Sequence, residues 1–364
     1  MATSAQLRKQ ILQGSWDAVL AALYGANPAV LQRQRGRYAA ALEQFELYFG
    51  PGRQVQVYSA PGRAELGGNH TDHQGGYGLA AAVTLDMVAV AARNTDGYVR
   101  VKSRGFNKLD VIDLATAEPQ AGESTHSASL IRGIAEGFRA VGKQIGGAVG
   151  GIIFADFADP RTPKIEKLHA DGLLPEGMFL CVTDTRGSHS ELTSEFAAIR
   201  QEMEQVAACF GKPLLGQVEE NAFWMALPVL RSCCGDRAVL RAIHYFEENA
   251  RTLAQRDALY AKQFPVFAGL VKQSGQASFA LCQNVYCTAD VRHQGLSIAL
   301  ALSQSILQGS EGAWRMQGGG FAGTIQAYVP GQLLERYHTA IEQVFGQGSC
   351  YVLRLREQGA VRVI

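Results

Sequence analysis

The stretch GRAELGGNHTDHQGG, residues 62–76, sets Arg63, Asn69, His70, Asp72 and His73 among five glycines. So many different donors and acceptors on one short segment suit a ligand rich in hydroxyl groups. Asp72 can accept from a hydroxyl, Asn69 can accept and donate, and His70 can do either. The glycines let the main chain come close and offer its own N–H groups. A site built this way rejects a ligand that lacks the matching hydroxyl, because its own polar groups are then left unpaired. The same residues suit a purely structural, Asx-rich turn. A third reading, a metal on His70-x-x-His73, finds no third ligand nearby in the sequence.

The segment lies between elements able to hold it. Before it, a turn at GPGR leads into the alternating strand QVQVYSAPG; after it runs the long apolar stretch GLAAAVTLDMVAVAARN, ending at the turn signal NTDG and the strand YVRVKS. Helical periodicity dominates residues 4–49, and Leu7, Ile11, Trp16, Val19, Leu20 and Leu23 predict an amphipathic surface helix. Further helices are predicted over 127–141, 189–210, 213–230, 236–252, 291–308 and 331–345. Strands are predicted at GGIIFADF, MFLCVTDT and CYVLRL, with a glycine-interrupted pair in GAWRMQGGGFAGTIQAYVP. Long βα units are too few for a doubly wound sheet, so the expected class is α+β with antiparallel sheets in two domains.

The 364 residues are 47% hydrophobic and 18% charged with a formal net charge of +1, enough for a real core and without a concentrated basic face. A nucleic-acid partner or a charged membrane surface is therefore not expected. No apolar stretch reaches the length of a membrane span, and the N-terminus lacks the pattern of a secretory signal. The seven cysteines, without a C-x-x-C pair, predict reduced thiols and a cytoplasmic protein. The adjacent Cys233 and Cys234 read as two ordinary thiols near a helix start.

APGRAELGGNHTDHQGGYGLAAAV resembles the sugar-recognition signature of the galactokinases, in the GHMP small-molecule kinase superfamily. VRVKS, SASLIRGIAEGF, VGGIIFADF, CVTDTRGSHSELTSEFAAIRQEM, GDRAVLRAIHYF and WRMQGGGFAGTIQAYVP resemble successive galactokinase segments in the same order. The resemblance implies the two-domain GHMP architecture: an N-terminal sugar- and nucleotide-binding domain over 1–147 and a C-terminal GHMP domain over 148–364. It implies galactose as substrate, with ATP and Mg²⁺ as cofactors. Arg63 matches the arginine that stabilises charge at the reacting hydroxyl and transferring phosphate. Asn69, His70, Thr71 and Asp72 match the sugar-binding tetrad, with Asn69 where the family has a glutamate. Phe196 stands where the family has a sugar-contacting tyrosine, and it also fits the apolar stripe of its own helix. Ser103 matches a nucleotide-contacting position, and Gly318, Gly319 and Gly320 match the third GHMP motif. No metal ligand is assigned.

Two parts of the resemblance are missing. Neither a glycine- and serine-rich phosphate loop nor the segment bearing the catalytic aspartate is found. GKQIGG (142–147) runs directly into AVGGIIF (148–154), so the expectation is an internal deletion between Gly147 and Ala148 and an incomplete N-terminal domain. The long apolar run should then keep an under-covered face. The expected protein is a galactokinase by ancestry with impaired catalysis, monomeric unless the truncated domain self-associates. The alternatives are a non-catalytic galactose-binding sensor or regulator, and a defective deletion product.

Overall fold

The computed structural model describes residues 2–116, 128–134, 150–159, 162–168, 172–187 and 192–364. The junction Gly147–Ala148 and most of the helix predicted over 127–141 lie outside these residues. The chain begins with helices α1 (Ser4–Leu12), α2 (Asp17–Tyr24) and α3 (Pro28–Phe49). Strands β1 (Gln56–Gly67), β2 (Tyr77–Ala91), β3 (Tyr98–Lys102) and β4 (Leu109–Asp113) follow, then a helical stretch α4 (residues 128–134). Next come β5 (Ile152–Asp156), β6 (Lys164–Leu168) and β7 (Met178–Asp184). Helices α5 (Thr193–Ala208), α6 (Glu220–Met225), α7 (Leu227–Cys234), α8 (Asp236–Tyr260), α9 (Phe264–Ala277) and α10 (Gly295–Leu307) come before β8 (Ala313–Gln317) and β9 (Thr324–Pro330). The chain ends with α11 (Gly331–Phe345), β10 (Cys350–Leu353) and β11 (Val361–Arg362).

Contacts divide the chain into two compact units. The first holds Met1–Ala60, Asp86–Ala148 and Gly359–Ile364; the second holds Pro61–Leu85 and Val149–Gln358. β1 and β2 each pass from one unit into the other, so the residues of the signature stretch belong to the second.

In the first unit, α1 opens on a Thr3/Gln6 capping box and α3 on an Asn27 cap with Pro28 in the first turn. The single N-terminal surface helix expected from periodicity is two helices, broken at Gly14, whose φ of 81° is a left-handed conformation that favours glycine. Both are amphipathic, with the apolar face on the core, though Val19 is 42% exposed. Leu7, Ile11, Trp16, Leu20 and Leu23 pack with Tyr38, Leu42 and Phe45 of α3 and Val57 of β1. Alternate residues of β2 divide between faces. Val88 and Val90 pack on that core, whereas Met87 is 73% exposed.

One buried polar knot ties the unit together. The Asp86 carboxylate, fully buried, pairs with Arg37 and accepts from Ser59 and from the Tyr24 hydroxyl (2.6 Å). Tyr38 donates in turn to Tyr24 (2.7 Å).

In the second unit all described ladders are antiparallel, as expected. β2 pairs with β5 and β5 with β6, while a four-stranded sheet runs in the order β10-β7-β9-β8. The main core gathers Ala64 and Leu66 of β1, Leu79, Ala81 and Val83 of β2, Ala258 and Leu259 of α8, and Phe264, Phe267 and Val271 of α9. Two helix expectations need correction. The helix predicted over 213–230 is a 3₁₀ turn at Leu215–Gln217 followed by α6 and α7, because Pro228 cannot continue a helix but can open one. α8 runs eight residues past its predicted end at 252, to Tyr260, and α9 is not among the predicted helices.

The Asp86 knot gives a stability test for the first unit. Asp86→Ala should lower stability by about 1.5–3 kcal/mol, the worth of hydrogen bonds to a charged group, since Tyr24 and Ser59 lose their charged acceptor. Arg37 is a third exposed and can turn to water, which keeps the loss from being larger. A urea midpoint unchanged in the variant would contradict this.

Candidate functional site

The signature loop hangs between two strands anchored in one core. β1 enters with Ala64 and Leu66 buried and β2 leaves with Leu79 and Ala81 buried. Thr71 closes the loop on itself. Its hydroxyl lies 2.8 Å from the Gly68 carbonyl and 2.5 Å from that of Tyr77, and its own carbonyl accepts from Gln74 (3.1 Å) and Gly76 (2.9 Å). From outside the loop, Asn249 of α8 accepts from the Tyr77 N–H at 2.8 Å, and Gln74 accepts from the Leu215 N–H at 3.1 Å.

Asn69 is the hub of the cluster, and it is buried. Its amide nitrogen donates to Glu65 Oε1 (3.2 Å) and to the Gly318 carbonyl (2.7 Å). Its amide oxygen accepts from Asn284 (3.0 Å), and its backbone carbonyl accepts from His244 Nε2 (3.0 Å). Asn284 is aimed here by the way α9 ends. The helix passes into a π turn at Ser278–Cys282, then Gln283 turns the chain with a φ of 56°. Behind the hub, Glu65 pairs with the wholly buried Arg315, which also donates to Ser274 (3.1 Å) and lies 3.8 Å from Glu248. Arg251 closes the set on Glu248.

The two signature histidines form a relay of defined direction. A carbonyl can only accept, so His70 Nε2 carries the proton donated to Gly319 at 3.0 Å. His70 Nδ1 is then the acceptor for His73 Nε2 at 3.3 Å, and His73 Nδ1 accepts from Gln74 at 3.2 Å. Both rings must be neutral for this pattern. Burial pushes His70 below its ordinary range, against the opposing Gly319 carbonyl. His73 is held down to about 4, by burial first and then by His70, with Asp72 and Glu204 opposing and Arg200 assisting.

Most of the sequence-predicted residues come together here. Gly318 and Gly319 give their carbonyls to Asn69 and His70. Gly320 takes the turn with a φ of 87°, where a side chain would run into the Asn284 carbonyl. Phe196 of α5 lies against Gly319, whose Cβ, if it had one, would sit 2.5 Å from Phe196 Cε1; its ring meets Phe321 edge-on at 5.3 Å. Arg63 and Asp72 are exposed, and among the described residues neither side chain makes a hydrogen bond. Ser103 belongs to the first unit, exposed just beyond β3. Glu65, Asn284, His244, Arg315 and Glu248 were not foreseen. Arg315 alone carried a signal, as a charged residue at an inward position of an alternating strand.

This geometry accompanies four likenesses. Residues 43–93 match the family model described as the galactokinase galactose-binding signature. A galactokinase of Glaesserella parasuis serovar 5 (strain SH0165) is 24% identical over 361 residues, covering 82% of this chain and 91% of that protein. The crystal structure of Lactococcus lactis galactokinase complexed with galactose superposes with a TM-score of 0.71 at 18% identity, covering 90% of this chain and all of that one. By sequence and fold the chain is galactokinase-like. The Methanococcus jannaschii mevalonate kinase, at a TM-score of 0.53 and 11% identity over 84% of this chain and 99% of its own, has the same GHMP kinase fold.

A galactokinase-like chain raises the question of a magnesium–nucleotide complex. Among the described residues no three His, Cys, Asp or Glu side chains gather to hold a metal ion. The glycine turn at 318–320 directs two carbonyls into the signature loop, and the sequence offers no other glycine- and serine-rich cradle. The described residues do not fit this group.

The relay sets a pH dependence. His70 and His73 have folded-state values below those of the unfolded chain, so their neutral forms favour folding. That stability is complete above about pH 6.5 and is lost as pH falls from there toward 4. The thermal midpoint should drop over this window. His73→Gln, which can still donate to His70 but cannot titrate, should flatten the drop; an equal drop in that variant would remove the relay as its cause. Asn69→Asp sets an acceptor against Glu65 and the Gly318 carbonyl. It should lower stability by about 1–3 kcal/mol, the penalty for unpairing a buried polar group, read from urea unfolding.

Proposed function

We propose that this galactokinase-like chain binds galactose, or a sugar with the same hydroxyl arrangement, at the signature loop and does not phosphorylate it. The observation that carries the reading is the division of labour within the loop. Asn69, His70 and Thr71 direct their polar groups inward, to the protein, while Asp72 and Arg63 keep their charges exposed on the backbone so held. An exposed carboxylate and an exposed guanidinium offer sugar hydroxyls a group to donate to and a group to accept from. The galactose-binding signature over residues 43–93 and the galactose named with the Lactococcus lactis structure support this choice of sugar.

Phosphoryl transfer asks for more than sugar binding. It depends almost wholly on positioning the phosphates and neutralising their charge, and removing a single preorganised donor already costs about 10²–10³ in rate. The sequence has neither a recognisable phosphate loop nor the segment that bears the catalytic aspartate. Arg63 remains, but one arginine cannot replace that set.

Two measurements on the purified chain test the two halves of the proposal. Calorimetry with galactose should detect binding, and Asp72→Ala should weaken it roughly ten- to 150-fold, the equivalent of a hydrogen bond to a charged group. No binding by the parent chain would favour the defective-product reading, and unchanged affinity in the variant would return the loop to a structural turn. ADP release with galactose and ATP should stay at the sugar-free background. Turnover within tenfold of an intact galactokinase would overturn the non-catalytic half.

A further inference from the structure

Of the seven cysteines, Cys181, Cys282, Cys287 and Cys350 are buried, whereas Cys209 and Cys233 are exposed and Cys234 is half-buried. Cys233 and Cys234 end α7, just before α8 opens at Asp236, near a helix start as expected. The partner of Cys234 is not its neighbour in the chain. Cys209 caps the C-terminal end of α5, which packs against α7, and its Sγ lies 3.4 Å from Cys234 Sγ. Both thiols face the same Gln205 carbonyl, at 3.5 Å and 3.9 Å. A disulfide needs a separation of about 2.05 Å, so a closing movement of roughly 1.4 Å joins them. Both cysteines stand at helix ends, and Gly235 follows Cys234 directly, so the movement falls on termini rather than on interior turns.

We propose that Cys209 and Cys234 are an oxidisable dithiol, a modification site that peroxide closes into a disulfide clamping the end of α5 to the end of α7. The thiolate of the more exposed Cys209 attacks one oxygen of hydrogen peroxide. The O–O bond breaks, and the leaving hydroxide takes the thiol's proton as water, leaving a sulfenic acid. The Cys234 thiolate then attacks that sulfur and expels hydroxide, which leaves as a second water with the proton of Cys234. Two thiols are oxidised and one peroxide is reduced to two waters. Burial, with the Cys209 hydrogen bond second, pushes the Cys234 thiol up to about 11, which suits the slower, resolving role. The clamp acts on the helix that carries Phe196, and it closes the chain between residues 209 and 234, limiting the unfolded state.

The test uses the full chain, titrated with hydrogen peroxide and digested without reductant. Mass mapping should show loss of two hydrogens and a Cys209–Cys234 linked peptide pair. The thermal midpoint should rise by several degrees and return on reduction. Cys209→Ser and Cys234→Ser should each abolish the link, while Cys233→Ser should leave it. A link through Cys233, a disulfide between two copies, or oxygen addition at the thiols without any link would each overturn the proposal.

Discussion

The amide of Asn69 holds the signature loop to the rest of its unit, and its chemistry limits what else can stand there. It faces two acceptors, the Glu65 carboxylate and the Gly318 carbonyl, and one donor, Asn284. Only a side chain with two N–H groups and a carbonyl oxygen satisfies all three. A carboxylate in its place would face two acceptors with lone pairs. The amide at this position, where galactokinases have a glutamate, is thus matched to Glu65 four residues earlier. Each explains the other.

Glu65 is in turn fixed by a charge that cannot leave. Arg315 is wholly buried, and taking its guanidinium out of water is tolerable only because Glu65, Ser274, Leu66 and Met316 supply acceptors and Glu248 lies nearby. The network places partners from β1, α9, β8 and α8 in one set of hydrogen bonds. Such an arrangement is weak evidence for stability but a strong constraint on geometry, since displacing any member strands a buried charge. The loop, with three glycines among residues 68–76, is therefore held by the ion pairs beneath it as well as by the Thr71 hydrogen bonds within it.

Much of the frame was legible in the sequence, and the hub was not. The strand in MFLCVTDT follows from a short apolar run, and the helix bounded by Gly331 and Phe345 from a period of 3.6 that local sequence displays. The loop was legible as polar chemistry because its donors and acceptors are consecutive. Which of them point inward was not, because the deciding partners are remote: Asn284 lies 215 positions from Asn69 and Gly319 lies 249 from His70. The split of 213–230 into a 3₁₀ turn and two helices was hidden for a different reason. Its apolar residues keep helical spacing across the break, and only Pro228 marks it. Cys209 and Cys234 illustrate the same limit, since adjacency in the chain drew attention to the wrong pair.

The support of the loop also explains how sugar recognition and phosphoryl transfer can come apart in one fold. The hydrogen bonds to the loop from the described residues arise on β1, β2 and α8, at Phe157 beyond β5, at Leu215, at the turn after α9, and at the glycine turn between β8 and β9. These supports are present in a chain whose sequence has no recognisable phosphate loop. The Gly318–Gly320 turn gives its carbonyls to Asn69 and His70, so the loop and the turn fix one another. In this architecture the signature loop is held without a recognisable phosphate loop, and galactose binding, the activity proposed for it, asks only for that loop.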